Sequence, residues 1–140
     1  MKRTVRILSV LLSILMVLTL CVACAAKPTG LWKDATYQKD TTLGKGDTTV
    51  TLVVTAEDKS VTFTVKTDKK MLGDALLDAK LIEGDTTEYG LYVKKVNGIT
   101  ADYNVDQSYW ALYIGEEYAM TGVDATPIEA GVTYGFTYTK

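Results

Sequence analysis

Histidine is missing from all 140 residues, and the only two cysteines, Cys21 and Cys24, fall near the start of the chain. Without histidine, neither a Ser-His nor a Cys-His nucleophile pair can be built, and an imidazole zinc site is ruled out as well. Serine is scarce beyond Cys24, where only Ser60 and Ser108 occur, and arginine is confined to Arg3 and Arg6. From Cys24 onward 12 lysines stand against 17 acidic residues, a side-chain balance of −5. An acidic domain without a basic cluster argues against nucleic acid and against charge-driven binding to anionic lipid. A lysine base or a carboxylate pair stays formally open. The adjacent pairs Lys69-Lys70 and Glu116-Glu117, however, point apart on a strand and read as solvated surface. The residue set points away from an enzyme.

What is present begins with a leader. Lys2, Arg3 and Arg6 precede an apolar run, Ile7–Leu20, broken only by Ser9, Ser13 and Thr19. This is the pattern of a secretory signal over residues 1–23; a membrane span would want about 20 apolar residues. Ala23-Cys24 then resembles a bacterial lipobox, with Cys24 fitting better than Cys21, which follows bulky Leu20. The alternative is a Cys21–Cys24 disulfide or two idle thiols. The lipobox resemblance implies lipidation at Cys24, and hence a protein held extracytoplasmically on the bacterial cell surface by its acyl chains.

Residues 24–47 read as a lipidated N-terminus and tether, partly packed on the domain. Lys27-Pro28-Thr29-Gly30 is linker chemistry, and Gly44-Lys45-Gly46-Asp47 marks a turn. Trp32 is expected to bury against the sheet, with a membrane-interface or ligand aromatic as the alternative. From Thr48 the chain alternates. Val50, Leu52 and Val54, then Val61, Phe63 and Val65, share one face of a hairpin whose outer face is largely threonine. Leu72, Ala75, Leu76 and Ala79 form a single helical stripe over Lys70–Lys80, with Gly84 as its stop and Gly73 explained by close approach to the sheet. Tyr89–Val96 is a strand closed by the Asn97-Gly98 turn.

In the polar stretch Ala101–Ser108, Asp102, Asn104 and Asp106 imitate the start of a calcium loop. Gln107 replaces the required glycine, and Tyr113 occupies the position of the closing glutamate. An Asx-rich turn is the simpler reading. Tyr109–Ile114 then places Trp110, Leu112 and Ile114 inward and Tyr109, Ala111 and Tyr113 outward. Gly115-Glu116-Glu117 turns the chain. Val132, Tyr134, Phe136 and Tyr138 give a closing strand. Hairpin, helix and three further strands make an α+β domain: a small mixed sheet of about five strands with one helix across it.

The second half carries a resemblance. LYVKKVNGI (Leu91–Ile99), the Tyr109-Trp110 pair, the Gly115 turn, the Thr121-Gly122 step and the final strand resemble the transcobalamin-like C-terminal domain. That domain ends transcobalamin and intrinsic factor and occurs in bacterial lipoproteins of unknown function. The similarity covers roughly residues 48–140 and implies a β-grasp-like fold. It also implies a soluble-ligand site, with a corrinoid as the lead ligand and Asn97, Tyr109, Trp110, Tyr113, Tyr118, Met120, Thr121 and Gly122 as its residues. Where the vertebrate proteins carry a serine- and glutamine-containing loop, this chain has Tyr118-Ala119-Met120-Thr121. The helical content is one short helix, so an inherited site is half a clamp. The alternative is an interaction module docking an envelope protein or a glycan. No metal is implied, and without histidine no imidazole reaches a corrinoid cobalt.

Overall fold

The structure is a computed structural model and describes residues 27–140; the expected leader, Cys21 and Cys24 lie outside the described residues. Its framework is the threonine-valine hairpin, for which the sequence alternation is clearest. Strands β2 and β3, numbered in chain order, are Thr48–Ala56 and Lys59–Thr67, joined by a two-residue turn with Ala56 opposite Lys59. Glu57 takes the left-handed conformation that this tight turn requires (φ 55°). All six expected inward residues are buried. Each such aliphatic or aromatic side chain contributes about 1.5–3 kcal/mol on leaving water.

The hairpin is extended on both sides. β1 (Thr41–Gly44) pairs parallel with β3, and β9 (Thr133–Thr139) pairs parallel with β2. β7 (Tyr109–Ile114) runs antiparallel to β9, and β8 (Glu117–Tyr118) folds back on β7. The order β1-β3-β2-β9-β7-β8 makes a six-stranded mixed sheet. A second sheet holds β4 (Ile82–Thr87), β5 (Gly90–Val96) and β6 (Ile99–Thr100) in that order, all antiparallel. Two short helices complete the described residues: α1 (Leu72–Asp78) and α2 (Tyr103–Asp106). One apolar cluster joins both sheets and α1.

The expectation of about five strands on one sheet is therefore corrected to nine strands on two among the described residues. The five expected strands are β2, β3, β5, β7 and β9. The four others are short, and β1 and β4 are poor in apolar residues, so neither carries a period.

The helix is also shorter than Lys70–Lys80. Gly84 does not stop it. Lys80 adopts the left-handed conformation (φ 58°), donating its N–H to the Leu77 carbonyl, while Leu81 N–H reaches Leu76. This is a Schellman motif closed by lysine rather than glycine. Gly84 sits instead opposite a bulge in β5, where Lys94 is left out of the pairing and a Cβ on Gly84 would come within 2.0 Å of the Tyr92 carbonyl oxygen. Gly73 does mark a close approach, but to a 3-10 turn, Val123–Ala125, rather than to the sheet.

The segment before β1 is anchored. Trp32 lies in a 3-10 turn, Gly30–Asp34, and is 3% exposed; its indole N–H donates to the Ala56 carbonyl at 2.9 Å. The Lys59 ammonium sits 4.6 Å from the ring centroid. Farther on, Tyr37 N–H donates to Asn97 Oδ1 and Asn97 Nδ2 donates to the Tyr37 carbonyl, each at 2.9 Å. Residues read as a tether thus clamp the two sheets together and supply an edge strand.

Candidate functional site

The strand that carries Tyr109 and Trp110 lies beside β5, and the two sheets leave a groove between them. On β7, Trp110 and Leu112 point into the protein at 7% and 8% exposure, but the alternation is incomplete: Ala111, expected outward, is buried at 2%, and Ile114, expected inward, is only half-buried. Trp110 donates its indole N–H to the Ile99 carbonyl at 3.1 Å and meets Tyr138 edge-on at 5.7 Å between ring centroids. Its ring edge then faces outward. The groove has a volume of about 210 Å³; Tyr109, Trp110 and Leu112 form one wall, Leu91, Tyr92 and Val93 the other. The loop after β8 closes one end with Ala119, Thr121, Gly122 and Val123.

Five of the expected residues meet here: Tyr109, Trp110, Tyr118, Thr121 and Gly122. Tyr113 does not line the groove but stands behind it, its ring edge-on to Tyr118 at 5.8 Å. Tyr118 is 54% exposed and Met120 93% exposed, so Met120 projects from the rim rather than into the groove. Asn97 is elsewhere. It is 1% exposed, and its side-chain amide is committed to Tyr37. Asn97 is a structural clamp at a left-handed turn position (φ 51°), removed from the groove set by its own hydrogen bonds.

Sequence reasoning missed the β5 wall. A second open depression, about 490 Å³, is bounded by residues 87–92 and shares Leu91 and Tyr92 with the groove. Tyr89, 90% exposed, stands on its far side. The run Tyr89-Gly90-Leu91-Tyr92, two tyrosines flanking a β5 start, was the available signal. The surface so formed is aromatic and only partly polar, suited to a flat ligand laid edgewise between rings.

The charged groups nearby are used structurally. Lys94 bonds Asp85 at 2.7 Å and approaches Asp102 at 3.8 Å. The hydrogen bond to Asp85, then the Asp102 charge, raise the ammonium pKa. Asp102 Oδ1 accepts from Asn104 N–H and caps α2. Asp106 accepts from both the hydroxyl and the N–H of buried Ser108, which holds its carboxyl below the usual range. The calcium-like run is thus a helix cap with ion pairs. Among the described residues no three His, Cys, Asp or Glu side chains gather as a metal ligand set.

Comparison with known proteins agrees with this architecture. A candidate metal-binding protein from Ruminococcus gnavus ATCC 29149 matches with a TM-score of 0.63 and 32% identity, over 67% of this chain and 98% of that one. Haptocorrin, in a crystal structure with Cbi, matches with a TM-score of 0.53 and 17% identity, over 66% of this chain and 25% of haptocorrin. The haptocorrin likeness is one of fold. A search of curated proteins gives no match. The family model described as a domain of unknown function, DUF4430, matches residues 70–140. That span runs from α1 through β9 and includes every wall of the groove. The protein belongs to the DUF4430 family, and its fold is shared with part of haptocorrin.

Proposed function

We propose that the domain is a small-molecule receptor whose site is the groove between β5 and β7, with a corrinoid as the lead ligand. The observation that carries this is the convergence of Tyr92, Tyr109, Trp110 and Tyr118 on one concavity. Rings set around a shallow cleft offer stacking faces and edges to a flat macrocycle, and the backbone of the Ala119–Val123 loop offers hydrogen bonds to its amides. A cleft of about 210 Å³ covers only part of such a ligand. Affinity on the order of micromolar follows, about −8 kcal/mol, unless a partner covers the other face. Lipidation at Cys24 would hold this receptor at the cell surface, close to the membrane, without enzymatic chemistry.

Calorimetric titration with cobalamin and with cobinamide tests the reading. Saturable heat that weakens in Tyr118→Ala is expected. No heat at millimolar corrinoid rejects the corrinoid. A second reading is favoured by the near-complete exposure of Tyr89 and Met120. These make the same rim a docking edge for an envelope protein or a glycan, and capture of such a partner that fails in Met120→Ala and Tyr89→Ala would support it.

A further inference from the structure

The chain enters the fold at one edge of the larger sheet. Lys27, Pro28 and Thr29 lie against Glu57, Asp58 and Lys59 of the β2–β3 turn. Leu31 N–H donates to Glu57 Oε1 at 3.2 Å, and buried Trp32 bonds the Ala56 carbonyl, so the entry point is pinned there. Strand pairing shows what shares that edge. Thr55 of β2 pairs with Thr137 of β9, and Thr139 pairs with Tyr109 at the start of β7. Lys140 Nζ reaches Asp106 Oδ2 at 3.6 Å, which brings α2 to the same edge. Tyr103 and Val105 of α2 are 55% and 81% exposed there, an apolar surface left open among the described residues. The rim of the groove lies at the other end. Ile114 pairs with Tyr134, Tyr134 with Leu52, and the Tyr118 strand folds back from Ile114. The length of β7 from Tyr109 to Ile114 is about 17 Å. Tyr89 precedes β5, whose other end runs into the Asn97-Gly98 turn. A Cβ on Gly98 would fall 2.6 Å from the Asp34 carbonyl oxygen, which puts that turn, and not Tyr89, at the entry edge.

We infer that the domain stands on the membrane on this entry edge, with Tyr103 and Val105 touching lipid and the rim of Tyr89, Tyr118 and Met120 turned away. The inference rests on the lipidation reading of Cys24. Three residue steps separate Cys24 from Lys27, about 11 Å at full extension, so acyl chains on Cys24 would hold the β2–β3 turn within that distance of the lipid surface. An anchor at one edge sets that edge down, and α2 supplies the apolar side chains there. A tyrosine beside a valine suits a lipid interface, since the ring is amphipathic and the aliphatic group enters between headgroups. Charge selects the lipid. Lys27, Lys59 and Lys140 at this edge stand beside Glu57, Asp58 and Asp106, so it fits a zwitterionic surface rather than an anionic one. In this orientation the groove runs from Tyr109 near the membrane to Tyr118 at its outer end, open to a ligand arriving from outside.

The test uses the protein purified with its lipid after expression of the full chain, checked by detergent partitioning and bound to phosphatidylcholine vesicles. A nitrobenzoxadiazole fluorophore is placed on Asn104→Cys, between Tyr103 and Val105, or on Glu116→Cys in the β7–β8 turn. Both positions are exposed, and Cys24 takes no label while its sulfur carries lipid. Dithionite reduces the fluorophore and does not cross the bilayer, so its rate reads exposure. Burying one valine side chain favours the docked edge by about tenfold, so the Asn104 label should be reduced about tenfold more slowly than the Glu116 label. Val105→Asp, at a side chain 81% exposed, disturbs no packing and should bring the two rates within about twofold of each other. Equal rates on a protein that partitions into detergent would overturn the footing and leave the anchor standing, as would protection at Asn104 that survives Val105→Asp. A protein that stays in the aqueous phase would overturn the anchor and the footing together.

Discussion

Truncating Trp110 separates the two roles that meet in the groove, because its ring is core and its edge is wall. The side chain is 7% exposed. Burying an aromatic of about 200 Å² at about 25 cal/mol per Å² stabilises by about 5 kcal/mol at most. The edge-on contact with Tyr138 adds about 0.5–1.5 kcal/mol. Loss of the indole N–H also leaves the carbonyl of Ile99, itself 1% exposed, without its partner, costing about 1 kcal/mol or more. Against this, the space left by Trp110→Ala opens into the groove and can fill with water, so the net cost is about 3–5 kcal/mol. Urea unfolding followed by far-ultraviolet circular dichroism reads it, since Trp32 remains as a confusing fluorophore. With a slope of about 1.5 kcal/mol/M the midpoint should fall by roughly 2–3 M. Tyr118→Ala, at a residue 54% exposed, should cost about 1 kcal/mol or less. Near-equal midpoints for the two variants would show that the faces of β7 are assigned the wrong way round.

Three further outcomes are expected. Asn97→Ala orphans both the N–H and the carbonyl of Tyr37, so it should destabilise by about 2–4 kcal/mol in the same denaturation assay while leaving groove binding to the folded protein unchanged. Because the Ser108 hydrogen bonds hold the Asp106 carboxyl below its unfolded value, its contribution is full above about pH 4 and is lost as pH falls through the depressed folded value. Asp106→Asn should therefore lower the thermal midpoint at pH 6, with the difference closing below pH 4; a constant difference would refute the linkage. Cys24→Ala should yield an unprocessed or released protein in detergent partitioning, and a variant still processed and membrane-bound would remove the lipoprotein proposal.

Much of the frame was legible because it rests on local periods. The alternation of Val50–Val54 and Val61–Val65, the inward Trp110 and Leu112 of β7 and the α1 stripe each depend on residues a few positions apart, and each appears in the structure, whereas Ala111 is buried against the expected period. Asn97-Gly98 announced a turn for the same reason. What was not legible depends on distant pairing. Thr41–Gly44 becomes a strand only because β3 offers it a parallel edge. Ile82–Thr87 has one buried residue and no period to read. Lys80 is left-handed because Leu76 and Leu77 offer carbonyls in that geometry, not because lysine favours it. The site divides in the same way. The Tyr109-Trp110 wall and the Thr121-Gly122 end were visible as motifs, whereas Leu91 and Tyr92 join them only through the meeting of two sheets.

The central claim, that the groove between β5 and β7 is where this domain meets its ligand, is tested most directly by mapping. Titration with cobinamide, read residue by residue in amide NMR spectra, should move the resonances of Tyr92, Tyr109, Tyr118 and Gly122 along a saturating curve. The threonine-lined outer face of β2 and β3 should stay still. Saturable shifts confined to that outer face, or none in the groove at millimolar cobinamide, would contradict the claim.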